Sequence, residues 1–100
     1  MIPALISRRR RQILIHSYIY YKLGTSIIAD HKWDKWARDL VDLQKTYPKI
    51  AKTLPYHAEF KDFDGLSGFY LPADEWTVNK ALQLLRIHDG LQKEIDDMLG

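Results

Sequence analysis

Cysteine is absent from the 100 residues of this chain. That excludes a disulfide framework, a thiolate metal site and a cysteine nucleophile. Net charge is nearly absent too: 15 Lys and Arg against 13 Asp and Glu leave +2. A uniform basic footprint of the nucleic-acid-binding kind is therefore missing. No apolar run approaches the roughly 20 residues that cross a bilayer. The apolar start, Ile2 to Ile6, precedes the first arginines, the reverse of the order in a secretory signal. These absences lead to the expectation of a soluble, cytoplasmic protein with no membrane contact. His16, His31, His57 and His88 are scattered, and no pair has the helical i, i+4 spacing with an acid between, so no metal site is expected. A Gly-x-x-x-x-Gly-Lys-Ser phosphate loop is missing. Ser7, Ser17, Ser26 and Ser67 lack a nucleophile-elbow setting.

What is present is ordinary for a globular domain: 46% apolar residues, 28% charged and 12 aromatics. The length suits one domain, residues 1–100. The pattern predicts an all-α fold, a small antiparallel domain of three to five helices with a packed aromatic loop. The first helix runs from near Pro3 to about Leu23, because proline suits a first helical position and no Gly or Pro interrupts the stretch. Ile6, Ile13 and Tyr20 form one stripe, with Leu14, Tyr18 and Tyr21 beside it. The run Ile13-Leu14-Ile15 also reads as a strand, but the length of the segment favours helix. Gly24 ends it as a left-handed cap, and Asp30 caps the next helix.

That second helix spans about His31 to Tyr47. Trp33, Trp36, Ala37, Leu40, Leu43, Gln44 and Tyr47 share one face, and Pro48 stops it. Residues 49–71 are a packed loop carrying Phe60, Phe63 and Phe69, with a helical turn near Ile50. A last helix begins near Pro72 to Glu75, with Val78, Ala81, Leu82 and Leu85 on one stripe. Leu84, Leu91, Ile95 and Met98 lie on the next, and Gly90 is a point of bending or ending. Short links imply antiparallel neighbours.

Two constellations can carry chemistry. Asp30 and Asp34, one helical turn apart, share a face near Tyr20, Tyr21 and Trp33. Carboxylates accept hydrogen bonds from sugar hydroxyls, and tyrosine and tryptophan rings stack on a flat cation. The same residues also serve as core aromatics, a helix cap and a solvated charge. Packing of Phe60, Phe63 or Phe69 on Tyr20 or Trp33 would close such a pocket. The second constellation is Arg8, Arg9, Arg10 and Arg11, which either touch phosphates or form a solvated helix surface. No aromatics interleave them to stack bases.

His16-x-Tyr18-x-Tyr20-Tyr21, Ile28-x-Asp30-x-x-Trp33-Asp34, Leu40-x-x-Leu43 and Tyr47-Pro48 together resemble the N-terminal helical subdomain, domain Ia, of bacterial NAD-dependent DNA ligases. The resemblance covers about residues 4–50, with a loop and C-terminal helical part over 51–100. It implies a helical fold and a site for the nicotinamide mononucleotide (NMN) half of NAD. Tyr20, Tyr21, Asp30, Trp33 and Asp34 then hold the contact positions. Tyr21 stands where the ligases often have histidine, and Trp33 where they usually have tyrosine. Lys22 and Lys32 are candidates to reach a phosphate.

The ligase nucleophile belongs to a Lys-x-Asp-Gly motif. Here Lys61-Asp62-Phe63-Asp64-Gly65 places aspartate two before Asp64, so the segment reads as a turn. The expectation is a non-catalytic binding module, an accessory protein of the phage or prophage kind. It requires no cofactor and takes NMN or NAD as ligand. The alternative uses of the same surfaces are a protein–protein contact, self-association included, through the aromatic face, and weak nucleic-acid binding through Arg8 to Arg11.

Overall fold

A computed structural model describes residues 1–100. It is all-α, with five helices: α1 Ile2–Tyr21, α2 Asp30–Thr46, α3 Pro48–Ala51, α4 His57–Phe60 and α5 Glu75–Leu99. The all-α expectation holds. No helix is long and apolar enough to cross a membrane.

α1 is the central element. Ile6, Ile13 and Leu14 are buried against Ala37 and Leu40 of α2. Ile15 and Ile19 are buried against Ala81 of α5. A helix covered on two sides needs apolar residues over a wide arc rather than a single stripe. That is why Ile13-Leu14-Ile15 reads locally like a strand: all three side chains are buried, in two different interfaces.

α2 lies antiparallel to α1. Arg10 reaches Gln44 near the end of α2, while His16 sits 5.5 Å, centroid to centroid, from Trp36. Pro48 ends α2 and opens α3, because its missing N–H costs nothing at a first helical position.

One charged residue holds this end of the molecule together. Arg10 is only 1% exposed. Its Nε donates to Gln44 Oε1 at 2.9 Å. Nη1 donates to the Pro55 and Leu54 carbonyls at 3.0 and 3.3 Å, and Nη2 to the Ala51 carbonyl at 3.1 Å. Gln44 Nε2 in turn donates to the Phe60 carbonyl at 2.9 Å. A carbonyl at the end of α3 and two in the link to α4 are thus held by one guanidinium, whose five-donor fork suits several acceptors at once. Burial pushes its pKa below the usual arginine value, opposed by Glu59. The arginine block is therefore not one surface. Arg9 donates to Gln12 and lies 3.8 Å from Asp39, Arg11 sits over the Trp76 ring, and Arg8 alone is exposed.

The chain then leaves the core and returns. Phe60, fully buried, and Phe63 anchor the start of the loop, with rings 5.2 Å apart. Lys61 to Gly65 is a turn: Asp64 Oδ1 accepts from the Leu66 N–H, and Gly65 sits at φ +81° against Val41 and Ala37. Leu71 packs back on the α1–α2 core. α5 then starts from an Asp74 cap whose Oδ1 accepts from the Thr77 backbone N–H at 2.8 Å.

α5 runs alongside α1 in the same direction. Arg11 faces Trp76 at its start, and Leu84 and Leu85 cluster with Leu23 and Ile27 just past the end of α1. The long return over residues 61–74 makes this parallel pairing available. Gly90 does not end α5, which continues to Leu99.

Candidate binding cleft

The last turn of α1 and the first turns of α2 face each other across a short link. Gly24, at φ +68°, reverses the chain. Ser26 Oγ donates to the Ile28 carbonyl at 2.7 Å and tightens the approach to α2. The sequence leads one to expect Asp30 as the cap of α2. The structure puts Ala29 there and makes Asp30 the first helical residue, with no side-chain cap bond. The physical reason lies in the backbone: the Ala29 carbonyl accepts from the N–H groups of both Lys32 and Trp33, at 3.0 and 3.3 Å. The Asp30 carboxylate is thereby released from capping, and it stays at the positive end of the helix dipole.

Between these elements is an open cleft of about 260 Å³. Tyr20, Tyr21, Asp30, Trp33 and Asp34 all line it, with Ser26, Ile28 and Ala29 from the link. Tyr20 is 54% exposed and meets Tyr21 edge to face, with ring centroids 4.8 Å apart. Trp33 is half-buried. Neither Asp30 nor Asp34 has an ion-pair partner within the chain, because both ion pairs present fall on Asp39.

The loop after α4 forms the remaining wall. Leu66 lines the cleft. Ser67 Oγ lies 3.2 Å from the Tyr21 hydroxyl, and Phe69 meets the Tyr21 ring edge-on at 5.4 Å. Gly68 crosses directly over Ser17 and Trp33. A Cβ there would collide with the Ser17 side chain, so glycine is what lets the loop approach. Phe63 does pack on Trp33, at 6.4 Å and edge-on. The cleft nevertheless stays open, since these contacts leave Tyr20 and both carboxylates uncovered.

Two further polar side chains line the cleft. Ser17 is buried, and its Oγ has no hydrogen-bond partner. His16 is half-buried against Trp36, and its Nδ1 is buried without a partner. Burial, with the positive charge of Lys32 adding to it, holds His16 below its ordinary pKa, so the ring is neutral at pH 7. Ser17 shares the i, i+3, i+4 face of Tyr20 and Tyr21, a signal that helical spacing alone carries. Leu66 has no such local signal, because only the tertiary path of the loop brings it to the cleft. Lys22 and Lys32 are not in the lining. They sit over the rings of Phe69 and Trp36, at 5.6 and 5.4 Å from the ring centroids. No group of three or more His, Asp or Glu residues is placed to hold a metal ion.

A sequence profile for the DNA ligase-like, N-terminal NAD+-binding domain matches residues 2–53. The chain belongs to this family. The matched span includes α1, α2, α3 and every lining residue of the cleft except Leu66. The chain is 38% identical over 45 residues to a DNA ligase of Pseudothermotoga lettingae, covering 45% of this chain and 7% of that one. It is 39% identical over 45 residues to a DNA ligase of Thermosipho africanus, again 45% of this chain and 7% of the relative. A DNA ligase of Petrotoga mobilis is 40% identical over 53 residues, 49% of this chain and 8% of its own. The chain thus spans less than a tenth of the length of these curated relatives. No solved structure matches it.

Proposed function

We propose that this chain is a binding module for the nicotinamide mononucleotide half of NAD and catalyses no reaction itself. One observation carries this reading. Asp30 and Asp34, two carboxylates without partners and one helical turn apart, line the same open cleft as the rings of Tyr20, Tyr21 and Trp33. A nicotinamide nucleotide is a flat cationic ring on a ribose. Aromatic faces attract the cation, and carboxylates accept from ribose hydroxyls in charge-assisted bonds. A cleft of about 260 Å³ lies just under the size range of small-ligand pockets, roughly 300–1,000 Å³, which suits a mononucleotide better than a whole dinucleotide. The family's description as an NAD+-binding domain supports the same ligand class.

No nucleophile supports chemistry. Lys61 stands one position too early for the ligase motif and lies in a turn away from the cleft lining. The role is therefore to hold or sequester a nucleotide in the cytoplasm, as an accessory protein of the phage or prophage kind. Exposed Leu66, Phe69 and Tyr70 beside the cleft favour a second reading, a protein docking surface on the same rim.

A thermal-shift series separates the two. NMN at about 100 times its dissociation constant stabilises the chain by roughly 2.7 kcal/mol. The expected result is a clear rise in Tm that disappears in the double variant Asp30→Ala, Asp34→Ala, with the helical circular dichroism unchanged. A shift that persists in that variant places the ligand elsewhere. No shift at millimolar NMN leaves the docking reading.

A further inference from the structure

We propose that a basic pocket between α3 and α4 binds a small oxyanion of the phosphate class, at a site separate from the nucleotide cleft. The pocket is open and measures about 250 Å³. Four of its lining side chains, Arg10, Lys52, His57 and Lys61, are basic, and none is acidic. Glu59 and Asp62, the acids nearest in sequence, are exposed and lie outside the lining.

The Arg10 network is what brings these residues together. Lys52 directly follows α3 and Lys61 directly follows α4. The guanidinium holds the Ala51 carbonyl, and Gln44, itself bonded to Arg10, holds the Phe60 carbonyl. Residues 51 and 60 immediately precede the two lysines. Fixing their carbonyls on one side chain pair therefore fixes the roots of both lysines beside each other.

The charges gathered there lack a counterpart. Arg10 is buried, yet it has no ionic partner, because both ion pairs in the chain fall on Asp39. Its four hydrogen bonds all go to neutral acceptors. A buried cation held this way is satisfied in hydrogen bonds but uncompensated in charge. Its field reaches into the pocket with little screening. Lys52 and Lys61 are exposed and make no ion pair, so their ammonium groups are free to close on a ligand. His57 Nδ1 is buried without a partner, which leaves Nε2 as the ring nitrogen that can donate into the pocket. An oxyanion at this place accepts charge-assisted bonds from the two lysines and sits in front of the buried guanidinium. The volume falls below the roughly 300–1,000 Å³ of drug-sized ligand pockets, which suits a phosphate group better than a large molecule. Arg10 precedes Ser17 of the nucleotide cleft by about two turns of α1, and no residue lines both sites.

Calorimetric titration of the full chain in a phosphate-free buffer tests this, with inorganic phosphate and glycerol 3-phosphate as probes. Both should saturate one site per chain, because the phosphate group is what the pocket reads. Sodium chloride at matched ionic strength should give no saturating heat. Arg10 variants unfold too readily to be informative, so the lysines are the test. Lys52→Ala with Lys61→Ala should weaken phosphate binding at least about tenfold, since each charged hydrogen bond is worth about that much, while circular dichroism stays helical. Arg8→Ala, on the exposed arginine of α1, should leave the affinity unchanged. Asp30→Ala with Asp34→Ala should also leave it unchanged, so this result and the fate of the nucleotide reading are independent. No saturation at tens of millimolar phosphate, an affinity indifferent to the double lysine change, an equal loss in Arg8→Ala, or loss of phosphate binding in the Asp30 and Asp34 variant would each overturn the proposal.

Discussion

Replacing Arg10 with alanine should destabilise the chain more than any other single arginine change. The wild-type guanidinium makes four hydrogen bonds, three of them to backbone carbonyls, one at the end of α3 and two in the link before α4. Each bond from a charged donor is worth about 1.5–3 kcal/mol, and each carbonyl left buried without a donor costs about 1–3 kcal/mol. Those terms are not additive, and removing the buried charge recovers part of its desolvation cost. A net loss of about 3 kcal/mol, well under the sum of those terms, is the working figure. At roughly 4–8 °C per kcal/mol for a domain of this size, Tm falls by at least about 12 °C. Urea unfolding followed by circular dichroism reads the free-energy change directly. Arg8→Ala, at the exposed member of the block, should stay within about 0.5 kcal/mol of wild type. Arg10→Lys keeps the charge but has no planar fork, so it should recover only a minor part. A loss below about 1 kcal/mol for Arg10→Ala would refute the view that Arg10 ties α1 to the α3–α4 segment.

Three other predictions concern the cap, the loop and pH. Asp74→Ala removes the α5 cap together with the 2.6 Å bond that the Tyr56 hydroxyl donates, and should cost about 1–2 kcal/mol in thermal unfolding. Gly68→Ala should push the loop off Ser17 and Trp33, seen as a red shift in tryptophan emission and faster proteolysis within residues 61–71. His16 has a folded pKa below its unfolded value of about 6.5, so the unfolded state binds more protons between the two. Its contribution is complete above pH 6.5 and is lost as pH falls towards the folded value. His16→Gln should flatten that part of the stability–pH curve.

The helices were legible because periodicity and punctuation agreed. Pro3, Gly24 and Pro48 mark the boundaries, and the face of Trp33, Trp36, Ala37, Leu40 and Leu43 does pack on the α1–α2 core. The co-location of Tyr20, Tyr21, Asp30, Trp33 and Asp34 was legible for the same reason, since two helix ends joined by a short link must face each other. What was not legible depended on long-range contacts. Nothing local separates Arg10 from its three neighbours; only Gln44 and the carbonyls of Ala51, Leu54 and Pro55 make it structural. Asp30 looked like a cap because aspartate usually is one, but the Ala29 carbonyl took that place. The reach of Leu66 and Gly68 to the cleft belongs to the path of the loop, and turn chemistry at Asp64 and Gly65 gives no direction for it.

Binding at the cleft is the central claim, and calorimetric titration of the wild-type chain with NMN, set beside AMP, tests it most directly. The expected result is a saturating isotherm at one site per chain for NMN, with little heat for AMP, which lacks the cationic ring. Flat isotherms at millimolar NMN, or equal heats for the two nucleotides, would contradict it.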